Sequence, residues 1–164
     1  MVKRESRILG LSGTRRGHTT IIASVVFRGA LWLDGVTTTT VEAKERNYTL
    51  KISNLIRNSK QFSQLHAIII SQRLNRIRSI STRALARSVK LPVIAFEERK
   101  GSGRGNRRGK KFVINVGGKL VTVIAAGVNR NQAEGLYGIG CSPHSSVPEA
   151  VRIADLLAEQ FRGE

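Results

Sequence analysis

The sequence predicts an α/β domain built on a mixed sheet: an antiparallel three-strand meander joined to parallel strands, with helices on the sheet faces. Three observations predict it. Apolar and β-branched runs crowd the first 41 residues. The hydrophobic period then switches to that of a helix over residues 44–58. The run Leu65-His66-Ala67-Ile68-Ile69-Ile70 is then nearly continuous in apolar residues, as a strand covered on both faces must be. A chain of 164 residues, 40% of them hydrophobic, suits one domain with its own core.

Taken in order, residues 7–11 predict a short strand that ends at Gly13. On its own Gly10-Leu11-Ser12-Gly13 resembles a phosphate loop, but no Lys-Ser/Thr pair follows, so a strand-end turn is expected. Residues 19–27, with Ile21, Ile22, Val25 and Val26, predict a buried strand. Arg28-Gly29 predicts a tight turn, and residues 31–41 a third strand. Tyr48, Ile52, Leu55 and Ile56 fall near one helical face. Residues 79–89 predict a second helix capped by Ser79 or Ser81, and residues 93–96 another strand. Gly117-Gly118, between residues 112–116 and 119–125, is a hairpin signal, because a primed two-residue turn needs positive φ. Asn129 predicts a cap for a helix reaching about Tyr137. The last helix is expected from Pro148, with Glu149 in its first turn and Val151, Leu156, Leu157 and Phe161 on its apolar face. A meander followed by β-α-β units is a ribonuclease H-like arrangement.

Charge points to the partner. Lys and Arg number 28 against 11 acids, a formal net charge of +17. Such an excess favours a polyanion, nucleic acid first. It is also segregated, since residues 46–96 and 99–133 hold no acid. The densest stretch, residues 99–111, has seven basic residues and four glycines among thirteen. These are Arg99, Lys100, Arg104, Arg107, Arg108, Lys110 and Lys111. Without an apolar residue it buries nothing, so a basic loop that contacts RNA phosphates is expected there. A second group is Arg73, Arg76 and Arg78, followed by Arg83, Arg87 and Lys90, the last three on one helical face. Arg15 and Arg16 complete the expected RNA-binding set.

Other classes are excluded or disfavoured. No apolar run is long enough to span a bilayer, and the charged start, Met1 to Arg7, lacks a signal-peptide core. A single cysteine, Cys141, forbids an intramolecular disulfide and suits a reducing cytoplasm. His18, His66 and His144 lie far apart, so neither a zinc site nor a catalytic triad is expected, and no cofactor is.

Several stretches resemble the archaeal endonuclease dU family, relatives of endonuclease V with the ribonuclease H-like fold. They are Ile8-Leu9-Gly10-Leu11, the run from Val25 to Val36, Gln64-Leu65 with Ile68-Ile69-Ile70, Leu91-Pro92-Val93-Ile94, and Ser146-Val147-Pro148-Glu149 with Arg152-Ile153-Ala154. The resemblance spans most of the chain in order, apart from residues 99–116. It implies the fold. It also implies metal-binding acids at positions that here hold Ser12, Gly13 and Ser71, the last within Ser71-Gln72-Arg73-Leu74-Asn75. Ser and Gln bind Mg²⁺ poorly, and Arg73 repels it. The expectation is a catalytically degenerate member: a non-catalytic RNA-binding protein with no metal, of the archaeal ribosomal type. It would bind rRNA within a ribosomal subunit, beside neighbouring ribosomal proteins, and take neither a membrane nor a small-molecule substrate. The alternative is an active metal-dependent endonuclease using Asp34 with Glu42, Glu97 or Glu98.

Overall fold

The computed structural model describes residues 3–96 and 109–162. Of the expected basic loop, Arg99, Lys100, Arg104, Arg107 and Arg108 lie outside the described residues, as do Glu97 and Glu98.

Three strands open the chain: β1 (Arg7–Arg16), β2 (Thr19–Arg28) and β3 (Trp32–Glu42). They pair antiparallel, β1 with β2 and β2 with β3. The expected meander is therefore present, but β1 runs past Gly13 to Arg16. Gly10-Leu11-Ser12-Gly13 is strand interior, not a turn, because Ser12 and Gly13 keep pairing with Ala23 and Ile22. Partners on the next strand outweigh a local glycine signal. The first helix, α1 (Tyr48–Arg57), starts later than its period suggested. The chain turns at 43–47, where Glu45 Oε1 accepts the Asn47 N–H at 3.0 Å.

The strand β4 (Leu65–Ile70) pairs parallel with β1, and Ile68, Ile69 and Ile70 are fully buried. Each such side chain contributes roughly 1.5–3 kcal/mol. Two helices follow, not one: α2 (Gln72–Ile77) and α3 (Thr82–Val89). The first has no counterpart among the sequence expectations. Ser71 caps it by accepting the Leu74 N–H at 3.1 Å, and Ser81 caps α3 in the same way through Ala84. Then come β5 (Val93–Phe96), parallel to β4, and the hairpin of β6 (Lys110–Val116) and β7 (Lys119–Ala126). Gly117 and Gly118 turn it with φ of 58° and 87°, as expected. The last helices are α4 (Arg130–Ile139) and α5 (Glu149–Gln160). Asn129 caps α4 in a full capping box with Gln132.

The seven-stranded sheet has the order β3-β2-β1-β4-β5-β7-β6. One core, with Leu9, Leu11, Ile68 and Ile70, packs under α1, α2 and α3. The other, with Ile8, Ala67, Ile69 and Ile94, packs under α4 and α5. The helix α5 meets the sheet through Ala150, Val151, Ala154 and Ala158, while Leu156 is 52% exposed, contrary to its expected burial. At about 100° per residue Leu156 falls on the side of α5 away from Ala150, Ala154 and Ala158, and the inner side comes very near the strand: a Cβ on Gly10 would lie 2.4 Å from the Ala150 carbonyl carbon. A helix lying that near the strand has room for alanine, not leucine. Among the described residues no helix is long and apolar enough to cross a membrane.

Candidate nucleic-acid interface

The cap at Ser81 starts α3, and Lys90 ends it in the left-handed conformation, with φ of 57°. Its inner side is Thr82, Leu85, Ala86 and Val89, all buried. That places Arg83 and Arg87, one turn apart, on the outer face, as the spacing predicted, and both are exposed. The chain re-enters the sheet beside them. Gly109 lies against Thr82 and the Ala125 carbonyl, which sets Lys110 at the start of β6. Arg83, Arg87 and Lys110 thus border one cleft of about 380 Å³, floored by Ala86, Ala125 and Ala126. Among the described residues no acid lines it, and neither arginine forms an ion pair. Two segments read as separate basic groups in the sequence are one surface here.

The other basic residues are placed differently. Arg15 and Arg16 sit exposed at the tip of the β1–β2 hairpin, separated from the cleft by β4 and β5 in the strand order. Lys111 and Arg76 are exposed. Arg78 lies over the Tyr48 ring, 4.6 Å from its centroid, and donates to the Ala43 carbonyl at 3.1 Å. Arg73 pairs with the Glu159 carboxylate and donates to the Asp155 carbonyl at 3.2 Å. Arg73 and Arg78 therefore make contacts inside the molecule, and neither lines the cleft of Arg83 and Arg87.

Arg73 stands at the end of the sheet where the resemblance implies a metal. Ser12 and Ser71 are both fully buried, on β1 and just after β4. Ser12 shares the α5 face of β1 with Ile8 and Gly10, and its hydroxyl donates to Asp155 Oδ1 at 2.5 Å. Gly13 points the other way, under Leu74. A divalent cation at this place needs carboxylate oxygens from more than one element. The Ser71 hydroxyl is spent on its helix, Asp155 on Ser12, and Glu159 on Arg73, whose guanidinium lies in the cluster. The residues present do not fit Mg²⁺. Nor, among the described residues, does any group of three or more His, Cys, Asp or Glu fit a metal. The Ser12–Asp155 pair joins residues 143 apart, and no local sequence signal announces it.

Asp34, the other acid considered for catalysis, is held elsewhere. Arg7 Nε donates to it at 2.6 Å and Arg28 Nε at 2.9 Å. Burial works against its charge, but these two hydrogen bonds prevail and keep the carboxyl below its ordinary range. Glu42 lies at the far end of the same strand. Burial pushes the Cys141 thiol up to about 12, which disfavours the thiolate.

The class that this topology defines is the ribonuclease H-like mixed sheet of endonuclease V type. Comparison with known proteins agrees. The chain is similar to a UPF0215 protein of Methanosarcina acetivorans, 27% identical over 96% of this chain and 91% of the relative. Among solved structures, a protein of unknown function from Archaeoglobus fulgidus superposes with a TM-score of 0.79, at 21% identity over 97% of this chain and 99% of the other. Endonuclease V of Streptomyces avermitilis superposes with a TM-score of 0.61, at 16% identity over 94% and 80%. No family model matches the chain. These likenesses carry the fold and the relation to archaeal proteins.

Proposed function

We propose that this chain is a non-catalytic RNA-binding protein, an endonuclease V-type frame whose metal-binding end has been replaced by internal pairing. The observation that carries the proposal is the cleft of Arg83, Arg87 and Lys110, three cations brought together from two segments with no acid between them. Such a surface meets phosphate oxygens, and its affinity comes from released counterions rather than base readout. In the sequence, residues 99–108, basic and acid-free, immediately precede Gly109 and Lys110. The occupied donors at Ser12, Ser71, Asp155 and Glu159 support the absence of nuclease chemistry.

A structured RNA of ribosomal type is the partner proposed, and a small ribosomal protein the setting, on the size of the chain and its charge of +17. The test is a filter-binding titration against structured rRNA across a salt series. A steep fall of affinity with salt is expected, and a flat response overturns the proposal. RNA cleavage that requires Mg²⁺ and disappears in Asp34→Asn with an unchanged fold would restore the enzyme alternative.

A further inference from the structure

The two edges of the sheet are finished in opposite ways. On β6 the backbone is closed by side chains of α4. Arg130 Nε donates to the Val113 carbonyl at 2.9 Å, and Glu134 Oε2 accepts the Asn115 N–H at 2.9 Å. On β3, eleven residues long, the stretch from Gly35 to Val41 has neither a charge nor a proline. Among the described residues, no side chain bonds its backbone; Gln61 reaches only the Asp34 carbonyl, just before it. Long edges usually carry a lysine, a proline or a cover, because an open one templates another strand. The groove between β3 and α1, about 590 Å³, leaves room alongside it.

We propose that β3 pairs antiparallel with β3 of a second copy of this chain, about a two-fold axis normal to the sheet, joining the two sheets into one. The strand is built to match itself. A two-fold of this kind sets residues of equal parity opposite each other on one face. The run Thr37-Thr38-Thr39-Thr40 then supplies threonine–threonine pairs, which are favourable cross-strand neighbours. Charge selects the register. With Thr38 on the axis, Asp34, which lies at the register shift of β3 and is bonded to Arg7 and Arg28, comes near Glu42 of the second copy, two carboxylates at one place. With Thr39 on the axis that clash is gone, Thr38 faces Thr40, and Thr37 faces Val41. The stretch from Gly35 to Val41 itself offers no charge to an acidic or basic partner, with Lys51 and Lys60 confined to the groove beside it. Pairing here leaves the two basic clefts near opposite ends of the joined sheet, where they repel least. This pairing is independent of the RNA-binding proposal.

Sedimentation of the full chain tests it, with twice the monomer mass expected. Thr39→Lys sets two ammonium groups against each other on the axis and is expected to give a monomer with unchanged circular dichroism. Should that variant fail to fold, Thr39→Cys in a Cys141→Ser background keeps the test. Opposed residues in such a ladder have Cα atoms about 4.5–5.5 Å apart, within disulfide reach, so mild oxidation should give a covalent dimer. Thr38→Cys, which faces Thr40, should cross-link poorly. A monomer at every concentration overturns the proposal, as does a dimer that survives Thr39→Lys. Cross-linking through Thr38→Cys instead of Thr39→Cys overturns the register.

Discussion

Two regions of this molecule handle charge in contrary ways. Where β1, β4 and α5 meet, the two carboxylates are paired within the molecule: Asp155 with Ser12, and Glu159 with Arg73. In the cleft of α3 and β6, Arg83, Arg87 and Lys110 converge without an acid. Net charge alone does not distinguish the two. Pairing does, because a cation already satisfied by a carboxylate has less to gain from a phosphate.

The sharpest way to break this contrast is at the cleft. Replacing Arg83 and Arg87 together by Ala is expected to weaken RNA binding roughly a hundredfold and to lower the salt slope by about 2, as a filter-binding series would measure. Thermal stability should hold, because both side chains are exposed. Equal affinity in the double variant would erase the distinction. At the paired end the prediction reverses. Ser12→Ala leaves the Asp155 carboxylate without its donor and should cost about 1–2 kcal/mol in urea denaturation, with RNA affinity unchanged.

Asp34 extends the paired class to the other end of β1 and gives it a pH signature. Its folded pKa is depressed, so its contribution is full above the unfolded value near 3.9 and is lost as pH falls through the lower folded one. A melting series should therefore show an acid-side loss of about 1 kcal/mol that Asp34→Asn lacks. The smallest effect is expected at Arg73. Because Glu159 is half exposed, Arg73→Ala should cost little stability and alter RNA affinity less than either cleft arginine alone. A large loss of affinity there would place Arg73 in the binding surface after all.

Much of the fold is legible in particular residues. The continuous run at Ile68-Ile69-Ile70 announces a strand covered on both faces, and Gly117-Gly118 and Asn129 announce a hairpin and a helix cap. These signals are local, so they survive without tertiary context. The helix α2 was hidden because six residues give too short a period to read, and its cap, Ser71, sits in a stretch that read as a strand end. Leu156 misled because it is apolar, yet at about 100° per residue it falls on the side of α5 away from Ala150, Ala154 and Ala158. Of the site, the α3 stripe was legible from spacing alone. Its union with Lys110 was not, since the two are held together by Gly109 against Thr82 across the sheet.

The sequence by itself determined that this chain is strongly basic, that its charge is segregated, and that Ser12, Gly13 and Ser71 stand at the positions where the resemblance implies acids. Those are properties of composition and order. Which arginines are satisfied within the molecule, and which are left for a partner, only the tertiary structure decided. An ion pair depends on distances of a few ångströms between segments far apart in the chain, and the sheet order and helix packing set those distances.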